Sequence, residues 1–277
     1  MSLGEHDVFR NVTSWDDSVA SDWAAALELR ASAQDQKVIR QRILKLASLQ
    51  PGDTVVEIGC GVGMLLADCA TVVSPNGLVI GVEPQPVLAA HAKAKLADLN
   101  CNCKTEIRFD SADALGIPDG IANACIAQTV LIHLPEPILK DAIREMARIT
   151  KPNGHVINVD QDGDTWVIDH PDRETTRRIV RFNSDQRFAD GWMGRRMRRL
   201  FGECGLTNLS VEVWNHIDTD RSSYLFSSCV RLANAAVEKG YITFEQCTSW
   251  LQTLDELAAR GQFFSSISYF AVVGQPA

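Results

Sequence analysis

The chain has 277 residues, 45% of them hydrophobic, enough to pack one large α/β domain or a core with an appended lid. Its net charge of −8 argues against general nucleic-acid binding. No apolar run reaches membrane-spanning length, and Met1–Asp7 is too polar for a signal peptide, so a soluble cytoplasmic protein without membrane contacts is expected.

In chain order, Trp15, Val19, Trp23 and Leu27 fall at a helical spacing that predicts one apolar face. Val38, Ile39, Ile43, Leu44 and Leu46 mark a second helix, stopped by Pro51-Gly52-Asp53. Val55–Ile58 reads as a strand. It leads into Gly59-Cys60-Gly61-Val62-Gly63 and then an apolar helix over 64–70. A strand, a glycine turn and a helix start form a cradle for a nucleotide-like cofactor, because glycine admits close backbone approach and a helix start has free N–H groups. The third glycine comes one residue earlier than in G-x-G-x-x-G, which disfavours a dinucleotide. Leu78–Val82 is a second strand ending at Glu83, Ala124–Gln128 a further one, Pro137–Arg148 a helix, and Val156–Asp160 a strand after the turn Lys151-Pro152-Asn153-Gly154.

Beyond Asp160, helices are expected over Arg173–Asp185 and from Trp192 to Gly205, and strands over Leu206–Trp214 and Ser266–Gly274. The stretch between those strands is too long for a hairpin and carries helices Ser222–Glu238 and Phe244–Arg260, the second opening on a capping-box pattern, Thr243-Phe244-Glu245-Gln246. Nine arginines stand against four acidic residues between Asp172 and Arg199. They read as solvated helix faces or as a basic rim for a carboxylate or phosphate. Eight scattered cysteines form no CxxC pair, Cys101-Asn102-Cys103 reads as a surface loop with reduced thiols, and no metal site is expected.

Glu57-x-Gly59-x-Gly61-x-Gly63, Glu83 closing the second strand, Phe109-Asp110-Ser111-Ala112-Asp113-Ala114 and Ala124–Leu134 resemble, in that order, the motifs of class I S-adenosylmethionine (SAM) methyltransferases, within them the group of ubiquinone-biosynthesis-type enzymes. The resemblance implies a Rossmann-like, doubly wound seven-stranded sheet with an antiparallel last strand. A helical lid would come from the N-terminus and from the insertion between strands six and seven. The divisions expected are cap helices over 1–34, a SAM-binding core over 35–220 with a lid helix near 171–188, a lid insertion over 221–262 and the last core strand over 263–277. It further implies SAM as cofactor and S-adenosylhomocysteine (SAH) as product. Glu57, Gly59, Gly61, Gly63, Glu83, Pro84, Asp113, Ala114 and Gln128 would contact the cofactor, with Glu83 on the ribose hydroxyls and Asp113 on adenine.

Methyl transfer from a sulfonium is a direct displacement, and a base is needed only for an acceptor that arrives protonated. His133, just past the fourth strand, is the candidate base, because imidazole titrates near neutrality. Asp160 is the second catalytic candidate. Asp162, Trp166, Trp15 and Trp23 are candidate acceptor contacts, and Arg30 and Arg40 candidates for the cofactor carboxylate. The spacing of Asp160, Asp162 and Asp164 resembles the start of a calcium loop, but Pro171 stands where its last glutamate would be. The expected function is methylation of an O, N or C atom of a small molecule, such as a secondary metabolite. The alternatives are a protein that binds SAM or SAH without methylating, and an RNA or protein methyltransferase supported only by the arginine-rich stretch. A monomer and a homodimer both remain open.

Overall fold

The computed structural model describes residues 7–136 and 138–277. Eight strands form one sheet: β1 (Thr54–Ile58), β2 (Leu78–Val82), β3 (Lys104–Arg108), β4 (Ala122–Gln128), β5 (Thr150–Gln161), β6 (Val167–Ile168), β7 (Thr207–Asp218) and β8 (Ser265–Gln275). The parallel part runs β3-β2-β1-β4-β5, and β8 then inserts antiparallel between β5 and β7. β6 pairs Ser265 and Ser266 of β8, beyond the stretch Tyr269–Gly274 that β5 takes, while β7 covers both stretches from the other side. β6 therefore continues the position of β5, and the sheet has the seven positions expected.

The central strands are continuous apolar runs because both faces are covered. Val55 faces a core built with Ile39 and Ile43 of α2 (Gln34–Ala47) and Leu65 and Leu66 of α3 (Met64–Val73). Val56 and Ile58 face the opposite core, with Leu139, Ile143 and Met146 of α5 (Ile138–Ile149) and Met197, Leu200 and Phe201 of α7 (Met193–Glu203). The α5 residues recur at the three- and four-residue steps of a buried helix face. The start of this helix was expected at Pro137, which lies outside the described residues.

Five further helices are described: α1 (Asp17–Ser32), α4 (Pro86–Ala97), α6 (Arg173–Gln186), α8 (Tyr224–Glu238) and α9 (Phe244–Ala259). Helix α8 packs against α1, α6 and α9. The capping box forms as expected, with the Thr243 hydroxyl accepting from Gln246 N and the Gln246 amide oxygen accepting from Thr243 N. Buried Trp250 donates to Thr176 Oγ1 at 2.9 Å, joining α9 to α6. His216 Nδ1 accepts from Gln36 Nε2 at 3.0 Å and its Nε2 donates to Asp218 Oδ2 at 2.9 Å, and Asp218 also accepts from Leu225 N at the start of α8.

Two local expectations change. Trp15 precedes α1, because Asp16 caps that helix by accepting from Val19 N at 2.9 Å; Val19 then points outward, 39% exposed. The segment Lys151–Gly154 runs on into β5, and neither Asn153 nor Gly154 has a positive φ. Gly154 is instead required by close approach, since a Cβ there would lie 2.8 Å from Asn123 O.

Gly63 is the residue on which α3 and α4 (Pro86–Ala97) meet. It caps α3 at φ +78°, and a Cβ there would lie 2.8 Å from Ala92 Cα. Left-handed backbone and overpacking each cost about 1–3 kcal/mol, so Gly63→Ala is expected to lower stability by about 2–4 kcal/mol. Urea unfolding measures this, and a loss below about 0.5 kcal/mol would contradict the packing role.

Candidate active site

A cavity of about 640 Å³ opens at the carboxyl ends of the parallel strands. Its floor comes from Ile58–Gly61 after β1, Val82–Pro84 after β2, Phe109–Ala112 after β3 and Gln128–Val130 after β4. This is where ligands enter open α/β sheets, because the loops there diverge to neighbouring helices. The roof comes from a 3₁₀ turn at Val8–Ser14, from α1, and from residues of α6 and α8.

Gly59 and Gly61 adopt φ values of +63° and +53°, and a Cβ at Gly59 would collide with the Val130 side chain. The turn thus needs glycine for conformation at both positions and for space at the first. Thr129 holds φ +56° without being glycine, a strained state for a β-branched residue. It is pinned by Thr129 N donating to Val159 O at 2.8 Å, by its hydroxyl donating to Gln128 O at 2.7 Å, and by Arg30 donating to Oγ1 at 3.1 Å.

Two buried carboxyl groups define the polar end. Glu83 accepts from Gly61 N at 2.9 Å and Gln85 N at 3.0 Å. Burial pushes it up from 4.5 to about 7, against the pull of those two N–H groups. Glu57 is raised well above the ordinary carboxylate range, by burial first and by nearby Asp68 next. Its Oε2 is buried without a partner and belongs to a residue of the cavity wall. Such an orphan acceptor is costly in a finished core and fits a site that a donor or cation completes. Gln85 caps α4 and donates through Nε2 to Val12 O and Trp15 O, both at 3.4 Å, holding the N-terminal segment over this end.

At the other end His133 lies between Phe9 and Phe188, with ring centroids 4.7 and 5.5 Å away. Its Nδ1 meets both oxygens of Asp7 at 2.8 Å. The Asp7 carboxylate, 1% exposed, also accepts from Phe9 N at 3.0 Å and Ala189 N at 3.1 Å. An ionised Asp7 assigns the proton to Nδ1, which leaves Nε2 as the free lone pair of a residue that lines the cavity.

The structure brings Glu57, Gly59, Gly61, Glu83, Pro84, Gln128, His133, Trp23 and Trp166 together in the wall, with Arg30 and Arg40. Arg40 is held by Asp68 at 2.7 Å and by Ala31 O at 2.8 Å. Trp166 spends its N–H on Ser265 Oγ at 2.8 Å, so only its ring is offered.

The remaining candidates are corrected. Asp160 is fully buried outside the wall, accepting from Asn158 Nδ2 at 3.0 Å and Ile132 N at 3.2 Å, and burial pushes it up to about 8; it braces the β4–β5 ends. Asp162 is fully buried in a fork with Arg195 and caps the turn Gly163–Thr165. Trp15 stacks on Trp23 at 5.9 Å but stays outside the wall, its N–H donating to Val8 O. Gly63 is a packing residue. Asp113 accepts from the Ser111 hydroxyl in an exposed contact, and it is Phe109–Ala112 rather than Asp113 and Ala114 that line the cavity. Sequence reasoning missed Asp7, Phe9, Phe188 and Tyr224, and did not separate Arg187 from the other eight arginines; these residues reach the cavity or its edge from segments remote in the chain.

Among the described residues no group of three or more His, Cys, Asp or Glu side chains converges to hold a metal ion, and no helix is long and apolar enough to cross a membrane. Cys101 and Cys103 face each other with sulfurs 3.3 Å apart and are both free.

A family profile described as a methyltransferase domain matches residues 55–154. A 37.1 kDa protein of transposon TN4556 from Streptomyces fradiae is 27% identical over 260 residues, 94% of this chain and 73% of that protein. A demethylmenaquinone methyltransferase from Desulfitobacterium hafniense is 27% identical over 121 residues, covering 44% of this chain and 47% of that enzyme. The chain thus aligns with about half the length of that enzyme. Among solved structures, the YcgJ protein from Bacillus subtilis superposes with a TM-score of 0.56 at 17% identity, over 85% of this chain and 97% of that one, a likeness of fold.

Proposed function

Because the chain carries a class I SAM-dependent methyltransferase domain, we propose that it transfers a methyl group from SAM to an O, N or C atom of a small molecule enclosed in the cavity, a secondary metabolite being the favoured class. The observation that carries this reading is the continuity of one cavity, from the glycine turn with Glu57 and Glu83 to the aromatic chamber around His133. A related enzyme named for demethylmenaquinone, itself a small molecule, supports the acceptor class.

Glu83 is suited to accept from both ribose hydroxyls, since each of its oxygens keeps a lone pair beyond its backbone contact. The unpartnered oxygen of Glu57 offers a place for the cofactor's ammonium. Phe109–Ala112 would flank the adenine. When bound, SAM supplies an electrophilic methyl group on a positively charged sulfur. The protein's task is to hold the acceptor in line and keep water out, and such positioning supplies about 7–11 kcal/mol of a barrier. The N-terminal turn, α1, α6 and the helices of 221–262 serve as the lid. His133, oriented by Asp7, takes the proton of an acceptor that arrives protonated.

The test is incubation with methyl-labelled SAM and a panel of quinols, phenols, amines and carbon acids, beside calorimetric titration with SAH. Label in an acceptor together with SAH binding is the expected result. Tight SAH binding with no label in any acceptor favours a cofactor-binding protein that does not methylate. Absence of SAH binding overturns the reading altogether.

A further inference from the structure

The arginine-rich stretch resolves into two kinds of residue. Arg178, Arg181, Arg195, Arg196 and Arg199 pair with carboxylates, and Arg173, Arg177 and Arg198 are exposed. Arg187 alone of the nine lines the cavity. It stands at the C-terminal cap of α6, over the Phe188 ring at 5.6 Å, and no carboxylate reaches ion-pair distance among the described residues.

Two more guanidinium groups gather beside it. Arg231 of α8 lies with its central carbon 5.7 Å from the ring centroids of both Trp23 and Tyr224. It donates to Ser227 Oγ at 3.2 Å and Ser228 Oγ at 2.8 Å, and its Nε is buried without a partner. Arg30 stands 6.0 Å from the Tyr224 centroid and, among the described residues, donates only to Thr129. Burial lowers the pKa of Arg187, the Tyr224 phenol opposes it most strongly, and Arg231 lowers it further against a weaker attraction from Asp7. Asp7 is already engaged by His133 and two backbone N–H groups. Burial would raise the Tyr224 phenol, yet Arg30, Arg187 and Arg231 with the Ser228 hydroxyl hold it below the ordinary tyrosine range. Positive charge is therefore concentrated at one place in the cavity, and among the described residues no carboxylate forms an ion pair with Arg30, Arg187 or Arg231.

A guanidinium drawn out of water is costly unless a counter-charge meets it, and its planar fork matches a carboxylate or phosphate. We propose that Arg187 is the anion-binding contact of the acceptor chamber, taking the carboxylate or phosphate of an acceptor whose apolar body rests against Phe9, Trp23 and Phe188. Arg231 acts as a positioning residue, adding charge from behind the Trp23 and Tyr224 rings. The word acceptor rests on the methyltransferase reading; binding of an anion at Arg187 does not.

The experiment is calorimetry on the full chain saturated with SAH, using benzoate, phenyl phosphate and neutral benzamide as probes. At least one anion should bind, with benzamide tenfold weaker or worse, and the tighter anion identifies the head group as carboxylate or phosphate. Arg187→Met should weaken that anion by about tenfold to a hundredfold, as loss of a charged hydrogen bond does, while SAH affinity stays within about twofold. Arg231→Met should cost less, and Arg177→Met, at an exposed position, nothing. If Arg187→Met fails to fold by circular dichroism, Arg187→Lys and Arg187→Gln take its place, with binding retained in part by the first and lost in the second. Equal binding of benzoate, phenyl phosphate and benzamide, or anion affinity unchanged without Arg187, overturns the proposal. So does loss of anion binding under saturating SAH, because the cofactor's own carboxylate would then be the occupant. Should SAH itself not bind, the methyltransferase reading falls, and the same probes on the cofactor-free protein still decide the role of Arg187.

Discussion

Replacing His133 with alanine is expected to lower kcat by about a hundredfold to ten-thousandfold for an acceptor whose nucleophile starts protonated, the usual yield of a positioned general base. KM and SAH affinity should change little, because His133 faces the acceptor end and Glu83 the cofactor end. Asp7→Asn should lose much of the same rate, since an amide no longer selects the Nδ1 proton or stabilises the imidazolium. Partial rescue of His133→Ala by added imidazole separates this from a structural role. A rate unchanged in His133→Ala with a phenolic acceptor would remove the base from the mechanism.

The second large effect belongs to Glu83. On the proposed reading its alanine variant gives up two charge-assisted hydrogen bonds to the ribose, about 3 kcal/mol together, so SAH affinity should fall about a hundredfold by calorimetry. Wild-type affinity should also depend on pH. The Glu83 carboxyl titrates at about 7, and only the ionised form accepts from two hydroxyls while holding Gly61 N and Gln85 N. Affinity should therefore fall up to tenfold per pH unit below 7 and level off above it.

Stability of the cofactor-free protein runs the opposite way. The folded pKa of Glu83 lies above the ordinary value of 4.5. Between 4.5 and about 7 the folded state holds more protons than the unfolded one, so stability falls as pH rises through that window. A shift of this size corresponds to at most about 3 kcal/mol. Asp160, raised to about 8, and Glu57 act with the same sign. Tm without cofactor should be lower at pH 8 than at pH 5.5, and Glu83→Gln should flatten part of the slope. A Tm that rises across this interval would contradict the burial of these carboxyl groups as neutral acids.

The proposed cofactor half of the site was legible because it is local. Glu57, Gly59, Gly61, Glu83 and Gln128 lie at strand ends, where an apolar run followed by a turn residue announces itself within a few positions. Of the candidates there, Gly63, Asp113 and Ala114 fall outside the cavity lining. Asp113 was chosen over Asp110–Ala112 because both are acidic stretches of one loop, and only backbone geometry says which part faces inward. Gly63 was assigned to the ligand because its pattern is the same whether a helix or a cofactor is the close neighbour; the Ala92 backbone proved to be the neighbour.

The acceptor half was illegible because its groups meet across long sequence separations. Asp7 and His133 are 126 residues apart, and nothing near either one signals the other. Asp160 and Asp162 looked like site residues because strand-end carboxylates usually are, yet the pleat and the α7 arginine turned both into the interior. Of nine similar arginines, helix phase and the end of α6 decided that Arg187 alone faces the cavity. By itself, then, the sequence determined the sheet, its helices and the cofactor motif, because hydrophobic period and turn chemistry act over a few residues. Only the tertiary structure brought Asp7 onto His133 and one arginine of nine into the same chamber. Those placements depend on where distant segments come to rest on one another, and no local pattern encodes that distance.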